Sequence, residues 1–421
     1  MFRHALVQEA AYESLLRNNR RTLHLTIGEV LEKLYPDRLD EFAPVLGNHF
    51  DEGEDYQRAL AYYARAGDLA TQRYANAEAE MHYGRALAIA KSHEAGAAGA
   101  HTLRDLYLKL GRAQELTGRY DDALAHYREM QSDARLRGDR ALELAAMIAQ
   151  SIIHSAPTLR FDPPKAQALS TEALAIARDL GDQSSEARLL WHASLVQKFL
   201  GHWAEHVRLG KHAAQIARRL GDRDLLAYVL NDIGEGLVTV EQIEHGIAAL
   251  DEAHELWLAS NNTPMLIDNR CNLSYAYFVS GQFQPAKILA HEAHALSERT
   301  HNLWGIVYSA VLFGYICRET GESAAALDAL HEAFHLGQQS GFGLALWFTP
   351  TMLALISLDL GDAAQAIDYA RAGEYSVSTG FLYAKGFITA AYLLASITLA
   401  DFKRAEAVRP EAEAFLFADE M

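Results

Sequence analysis

Along most of the chain the apolar residues return every third or fourth position, while small residues return on a much longer beat. The short period is that of an amphipathic helix. The long beat is forty residues: Gly201, Gly281, Gly321 and Gly361 share one grid, with Glu241 and Asp401 at its two remaining points. A second grid runs through Gly181-Asp182, Gly221-Asp222, Asn261-Asn262, His301-Asn302 and Gly341-Phe342. Gly118 and Gly138-Asp139 repeat the pattern upstream, displaced by three residues, which puts extra residues in the turn around Pro157 to Pro164. Each period predicts two helices: in one copy, helix A from about Ser184 to Leu200 and helix B from about Ala204 to Leu220. Gly suits the left-handed position after a helix, and Asp or Asn caps the next one. Pro163, Pro164 and Pro285 fall at the start of helix B, where a missing N–H costs little.

Three columns of the grid hold small side chains: Ser194, Gly234, Ser274, Gly314 and Ala354; Ala173, Ala213, Ala253, Ala293, Ala333 and Gly373; and Ala166, Ala286, Ala326 and Ala366. Small residues at fixed intervals let one helix approach the next. Larger apolar columns fill the space between: Ile233, Leu273, Phe313, Leu353 and Leu393, and Ile216, Leu256, Leu296 and Leu336. His154, Leu394, His206 and Gly246 depart from their columns. These columns, with the turns Gly201-His202-Trp203 and Gly281-Gln282-Phe283, resemble the tetratricopeptide repeat over roughly residues 100 to 421. That family's period is about thirty-four residues, so helix B here should be longer, as in the arm of the maltose-regulon transcription activator. The resemblance implies an all-α, right-handed superhelical solenoid of antiparallel helix pairs.

The first residues, from Met1-Phe2-Arg3-His4-Ala5-Leu6-Val7-Gln8-Glu9-Ala10-Ala11-Tyr12 to Leu16, followed by Arg20, Arg21, Leu23 and His24, are similar to a segment of bacterial signal-transduction ATPases, including those associated with adenylate or guanylate cyclase domains. There it follows the nucleotide-binding domain and leads into repeats through a segment that Gly53, Ala59, Leu60, Tyr62, Ala66 and Gly67 match here, with Glu78, Ala79, His82, Tyr83, Ala86 and Leu87 beyond. A helical pattern that starts at Phe2 without a cap, in an array that would otherwise want a polar capping helix, points the same way. The expected organisation is a junction over 1–45 to a missing N-terminal ATPase region, divergent first repeats over 46–96, and the repeat array over 97–421.

Composition narrows the function. At 421 residues the chain is too long for one compact core. A net charge of −17 argues against a nucleic-acid or anionic membrane surface. Two distant cysteines, Cys271 and Cys317, make no disulfide framework and fit a reducing cytoplasm. The apolar stretch Gly343 to Leu360 is interrupted by Thr349, Pro350 and Thr351 and reads as a buried helix. No P-loop, Cys-x-x-Cys or Gly-x-Ser-x-Gly occurs.

His331-Glu332-Ala333-Phe334-His335 spells the zinc-protease motif. Yet His331 shares a column with His291 and Asp251, and Glu332 with Glu292, Glu252 and Glu172. Ala333 is the packing alanine. The motif therefore reads as a repeat position that gained His335, and a zinc hydrolase is a remote alternative. His254, His291 and His294 read as part of the same solvated helix-B face.

A solenoid binds on its concave surface, which in the tetratricopeptide family is lined by helix A. The family's groove positions fall here on Arg188, Tyr228, Asp268, Tyr308 and Phe348; on Trp191, Asn231, Cys271, Val311 and Thr351; and on Leu195, Glu235, Tyr275, Tyr315 and Leu355, with Lys198, Phe278 and Arg318 one turn on. The candidate ligand or partner residues are Arg188, Trp191, Lys198, Tyr228, Asn231, Glu235, Tyr275, Phe278, Tyr308, Tyr315 and Arg318. Such a lining suits a peptide, a protein or a small effector, because tyrosine offers large contact area at low entropy cost. Several of these aromatics could equally pack between neighbouring repeats. The expected protein is a non-catalytic, cytoplasmic regulatory arm of a signalling ATPase or cyclase-like regulator, without cofactor or metal, with a free-standing scaffold as the alternative.

Overall fold

In the computed structural model, the described residues are 12–73, 75–92, 100–156, 160–340, 343–377 and 382–416. The junction motif at residues 1–11 and the grid point Gly341-Phe342 lie outside them. Among the described residues there are twenty α-helices, one 3₁₀ turn (Pro36–Arg38) and no strand. The helices are α1 (Arg17–Leu34), α2 (Leu39–Glu52), α3 (Tyr56–Gln72), α4 (Asn76–Ser92), α5 (Ala100–Leu116), α6 (Tyr120–Arg137), α7 (Arg140–Ser155), α8 (Pro163–Leu180), α9 (Gln183–Leu200) and α10 (Trp203–Leu220). There follow α11 (Arg223–Thr239), α12 (Ile243–Ser260), α13 (Thr263–Val279), α14 (Phe283–Arg299), α15 (Leu303–Glu319), α16 (Ser323–Ser340), α17 (Gly343–Asp359), α18 (Ala363–Val377), α19 (Leu382–Thr398) and α20 (Phe402–Leu416). None is long and apolar enough to cross a membrane among the described residues. The chain forms two compact units, Met1–Gln150 and Ser151–Met421.

The forty-residue ruler becomes a set of left-handed corners. Gly181, Gly201, Gly221, Gly281, Gly321 and Gly361 all have positive φ, and so do the non-glycine grid members Glu241 (φ 62°), Asn261 (φ 52°) and His301 (φ 51°). At the last point the corner falls on Ala400 (φ 55°), not on Asp401. Asp401 instead caps α20 by accepting from the Arg404 N–H at 3.1 Å. The final copy is thus one residue short of the grid. Asp182, Asp222, Asn262 and Asn302 likewise cap their helices, accepting from the backbone N–H three residues on at 3.0, 3.0, 3.3 and 3.1 Å. Each such cap is worth about 1 kcal/mol and fixes where a helix begins.

In the first unit the seams are built from glycine against tyrosine. A Cβ on Gly67 would lie 2.4 Å from the Tyr83 ring, and one on Gly111 would lie 2.3 Å from Tyr127. The buried tyrosine then spends its hydroxyl on an acid of the glycine's own helix: Tyr83 donates to Asp68 at 2.8 Å, and Tyr127 to Glu115 at 2.7 Å. His24 and His49 meet through their Nδ1 atoms at 2.9 Å and tie α1 to α2.

In the second unit every helix packs on its sequence neighbours. The small columns are the buried seams: Ala173, Ala213, Ala253, Ala293, Ala333, Ala166, Ala286, Ala326 and Ala366 are all fully buried. The helix-A members α9, α11, α13, α15, α17 and α19 also touch one another in series. Such contacts place them on the inner side of the curve. α9 further meets α19, where Phe161, Phe199, Leu346 and Ile388 form a small apolar cluster.

Candidate functional site

Residues at i, i+3, i+4 and i+7 on a helix share a face. On α9 that spacing lines up Trp191 and Lys198, on α11 Tyr228, Asn231, Asp232 and Glu235, on α13 Asp268, Asn272 and Tyr275, and on α15 Trp304, Tyr308 and Tyr315. The helix-A series sets these faces side by side. The result is a polar network that crosses four consecutive repeats.

On its first side, the Trp191 indole N–H donates to Asp232 Oδ2 at 2.7 Å. The Lys198 ammonium donates to Glu235 Oε2 at 2.6 Å and lies 3.7 Å from Asp232 Oδ1. The Lys198 side chain is only 11% exposed. Further along, Asp268 accepts from the Asn231 amide at 2.7 Å and from the Trp304 indole N–H at 3.0 Å. The Asn272 amide stands 3.5 Å from the same carboxylate. Tyr308 donates its hydroxyl proton to Asn272 Oδ1 at 2.8 Å. Asn231 is held from behind by the Asn269 amide at 3.0 Å.

The electrostatics are unbalanced. One lysine faces Asp232, Glu235 and Asp268. Burial works against the Lys198 charge, but Glu235 and Asp232 more than offset it and hold the ammonium above its ordinary value. Burial pushes Asp232 up, against the pull of Lys198 and the Trp191 hydrogen bond. Burial, helped by the nearby Asp232 charge, pushes Asp268 up to about 6, although Trp304, Asn231 and Lys198 favour its ionised form. Burial likewise raises Tyr275, Tyr308, Tyr315 and the Cys271 thiol.

The candidate residues take different parts. Trp191, Lys198, Asn231, Glu235 and Tyr308 enter the network. Tyr228 stands at its edge, tilted against Trp191 with ring centres 5.3 Å apart and meeting Trp257 edge-on at 4.6 Å. Arg188 reaches Asp222 at 3.4 Å, and Arg318 pairs with Asp359 at 2.7 Å and Glu319 at 3.0 Å; both stay outside it. Tyr275, Phe278 and Tyr315 are half-buried packing residues, with Phe278 and Tyr315 rings 6.0 Å apart. Sequence columns missed Asp232, Asn272 and Trp304. Asp232 and Asn272 are themselves forty residues apart, one position beyond Asn231 and Cys271, so a fourth column would have found them.

The helix-B histidines are used locally. His254 and His294 bond Asn269 Oδ1 at 3.0 Å and Ser309 Oγ at 3.1 Å, and the His291 ring packs on Phe313. In the zinc-like motif, His331 Nε2 bonds the Tyr369 hydroxyl at 2.8 Å, and Ala333 is buried in a seam. Among the described residues no three His, Cys, Asp or Glu side chains converge on a possible metal position.

Antiparallel helix pairs stacked with small-residue seams define the fold as a tetratricopeptide-type solenoid. The sequence matches no protein-family model and no curated protein. Solved structures do share the fold. A Rap protein complexed with competence and sporulation factor superposes with TM-score 0.62 at 13% identity, over 85% of this chain and 97% of that one. The Rap conjugation gene regulator of plasmid pLS20, in complex with the Phr* peptide, gives TM-score 0.57 at 14% identity over 70% and 76%. The apo quorum sensor NprR from B. thuringiensis gives 0.53 at 13% over 86% and 99%.

Proposed function

We propose that this chain is a regulatory interaction arm that captures a peptide or a peptide-like segment of a partner along the inner helix-A face of its second unit. The observation that carries this reading is the partly exposed network running from Trp191 to Tyr308. It offers indole, amide, ammonium and carboxylate groups at the repeat spacing, which suits the regular backbone and side-chain groups of an extended chain. Two of the structures that share the fold are complexes, one with competence and sporulation factor and one with the Phr* peptide, which supports the same choice. The motif at residues 1–16 adds the finer proposal that the arm serves a signalling ATPase or cyclase-like regulator, with 1–45 as its junction, 46–96 as divergent repeats and 97–421 as the array.

A peptide-display library selected on the full chain tests the capture. Selected peptides should bind the parent protein by calorimetry and lose at least tenfold in affinity on Trp191→Phe or Asn231→Ala, each with unchanged helicity. A library that yields no binder, or binders indifferent to both substitutions, would remove the groove reading.

A further inference from the structure

Asp268 sits at the middle of the inner face and joins three helices. Its two oxygens divide their work: Oδ2 accepts from Asn231 on α11, and Oδ1 from Trp304 on α15, at 2.7 and 3.0 Å. With the Tyr308–Asn272 bond and the Asn269–Asn231 bond, these are the side-chain hydrogen bonds described from α13 to the A helices on either side. An ionised carboxylate can accept at both oxygens, whereas a protonated one must turn one oxygen into a donor.

The surroundings set how easily that proton arrives. From α11, Asp232 and Glu235 add negative charge. From α9, Lys198 supplies a nearby cation, and it is already committed to Glu235. From α12, His254 reaches the network through Asn269. From α14, Glu292 is 3.7 Å from Arg270 of α13. From α15 come the neutral Trp304 and Tyr308, and α13 itself adds the buried Cys271. A half-buried carboxylate beside two others that share a single lysine is a poor place for a third negative charge.

We propose that Asp268 is a proton-operated tie between three consecutive repeats: ionised, it holds α11 and α15 to α13 through Asn231 and Trp304; protonated, it surrenders one of those bonds and loosens the inner face at the centre of the groove, leaving the Asn269–Asn231 and Tyr308–Asn272 bonds to hold it. As regulation of capture, this rests on the peptide-groove reading above. The tie itself is a property of the ligand-free chain. Burial pushes Asp268 up to about 6, so the change falls between pH 5 and 7.

The test uses the full, ligand-free protein labelled with ¹⁵N at its tryptophans. The Trp304 indole N–H resonance is assigned by its disappearance in Trp304→Phe and followed from pH 5 to 8. It should move along a single titration with its midpoint near pH 6. Asp268→Asn, which keeps the shape and an acceptor oxygen, should abolish that titration. His254→Gln should leave the midpoint in place, and Glu235→Gln should lower it by freeing Lys198 for the remaining carboxylates. Should Asp268→Asn fail to fold, the Glu235→Gln shift decides the matter. A Trp304 resonance that stays flat in the parent protein, that titrates alike in Asp268→Asn, or that loses its titration in His254→Gln would overturn the proposal. Because no ligand is present, failure here leaves the library selection to decide the groove reading separately.

Discussion

Lys198→Met probes the ammonium that faces Asp232 and Glu235 in the network. Its side chain is 11% exposed, bonds Glu235 at 2.6 Å and lies 3.7 Å from Asp232. Methionine keeps the apolar stem and removes the charge. Removing one partner of a buried ion pair costs about 3–5 kcal/mol, because the other charge is left uncompensated. Partial exposure of Glu235 and Asp232 admits water, so a loss of about 2–3 kcal/mol is expected at pH 7. Urea unfolding followed by tryptophan fluorescence reads the midpoint, with an unchanged slope showing that the unfolded state is not altered. The penalty should shrink at pH 5. Asp232 and Asp268 already have folded-state values above their unfolded ones. A group of that kind binds its proton more readily in the folded state, so stability rises as pH falls through its folded value. Without Lys198 both values climb further, and acid relieves the variant more than the parent. A loss under about 0.5 kcal/mol at pH 7, or an equal loss at both pH values, would refute the claim that Lys198 holds this face together.

Three further outcomes follow from the packing. Gly67→Ala would set a Cβ 2.4 Å from the Tyr83 ring, and overpacking of that kind should cost about 1–3 kcal/mol in a thermal or urea melt. Glu241→Gly should raise stability by about 1 kcal/mol, since a non-glycine residue at φ 62° carries a left-handed penalty that glycine lacks; no gain in the melting midpoint would contradict the corner assignment. Cys271 and Cys317 are fully buried and their thiols are raised by burial, so a disulfide reagent should label neither until denaturant is added, and prompt labelling of the native protein would show that the seams open.

The repeat was legible because it is made of single-residue requirements. A left-handed corner admits Gly or Asn, a helix start wants Asp or Asn, and a close seam wants Ala, Ser or Gly. Each leaves a mark that survives without any knowledge of the partner helix. Glu241 and His301 show the limit, for they take the same conformation with residues that announce nothing, and only the grid identified them. Ala400 shows the opposite error, where Asp401 attracted the grid point although its task is to cap the next helix. At the site, columns carried over from the tetratricopeptide family found Trp191, Lys198, Asn231 and Glu235 but passed over Asp232, Asn272 and Trp304. Whether a half-exposed residue meets its neighbour or the solvent depends on the rotation between adjacent helices, and spacing along one chain does not encode that angle. The aromatic residues at 275, 278 and 315 fit both fates equally well until the packing was known.

The meeting of α9 with α19 has a consequence for access. Helices five repeats apart in the sequence touch, so the two ends of this helix-A series share one apolar contact. A partner that parts α9 from α19 must first open the apolar cluster around Phe161 and Ile388, which would slow both its arrival and its departure.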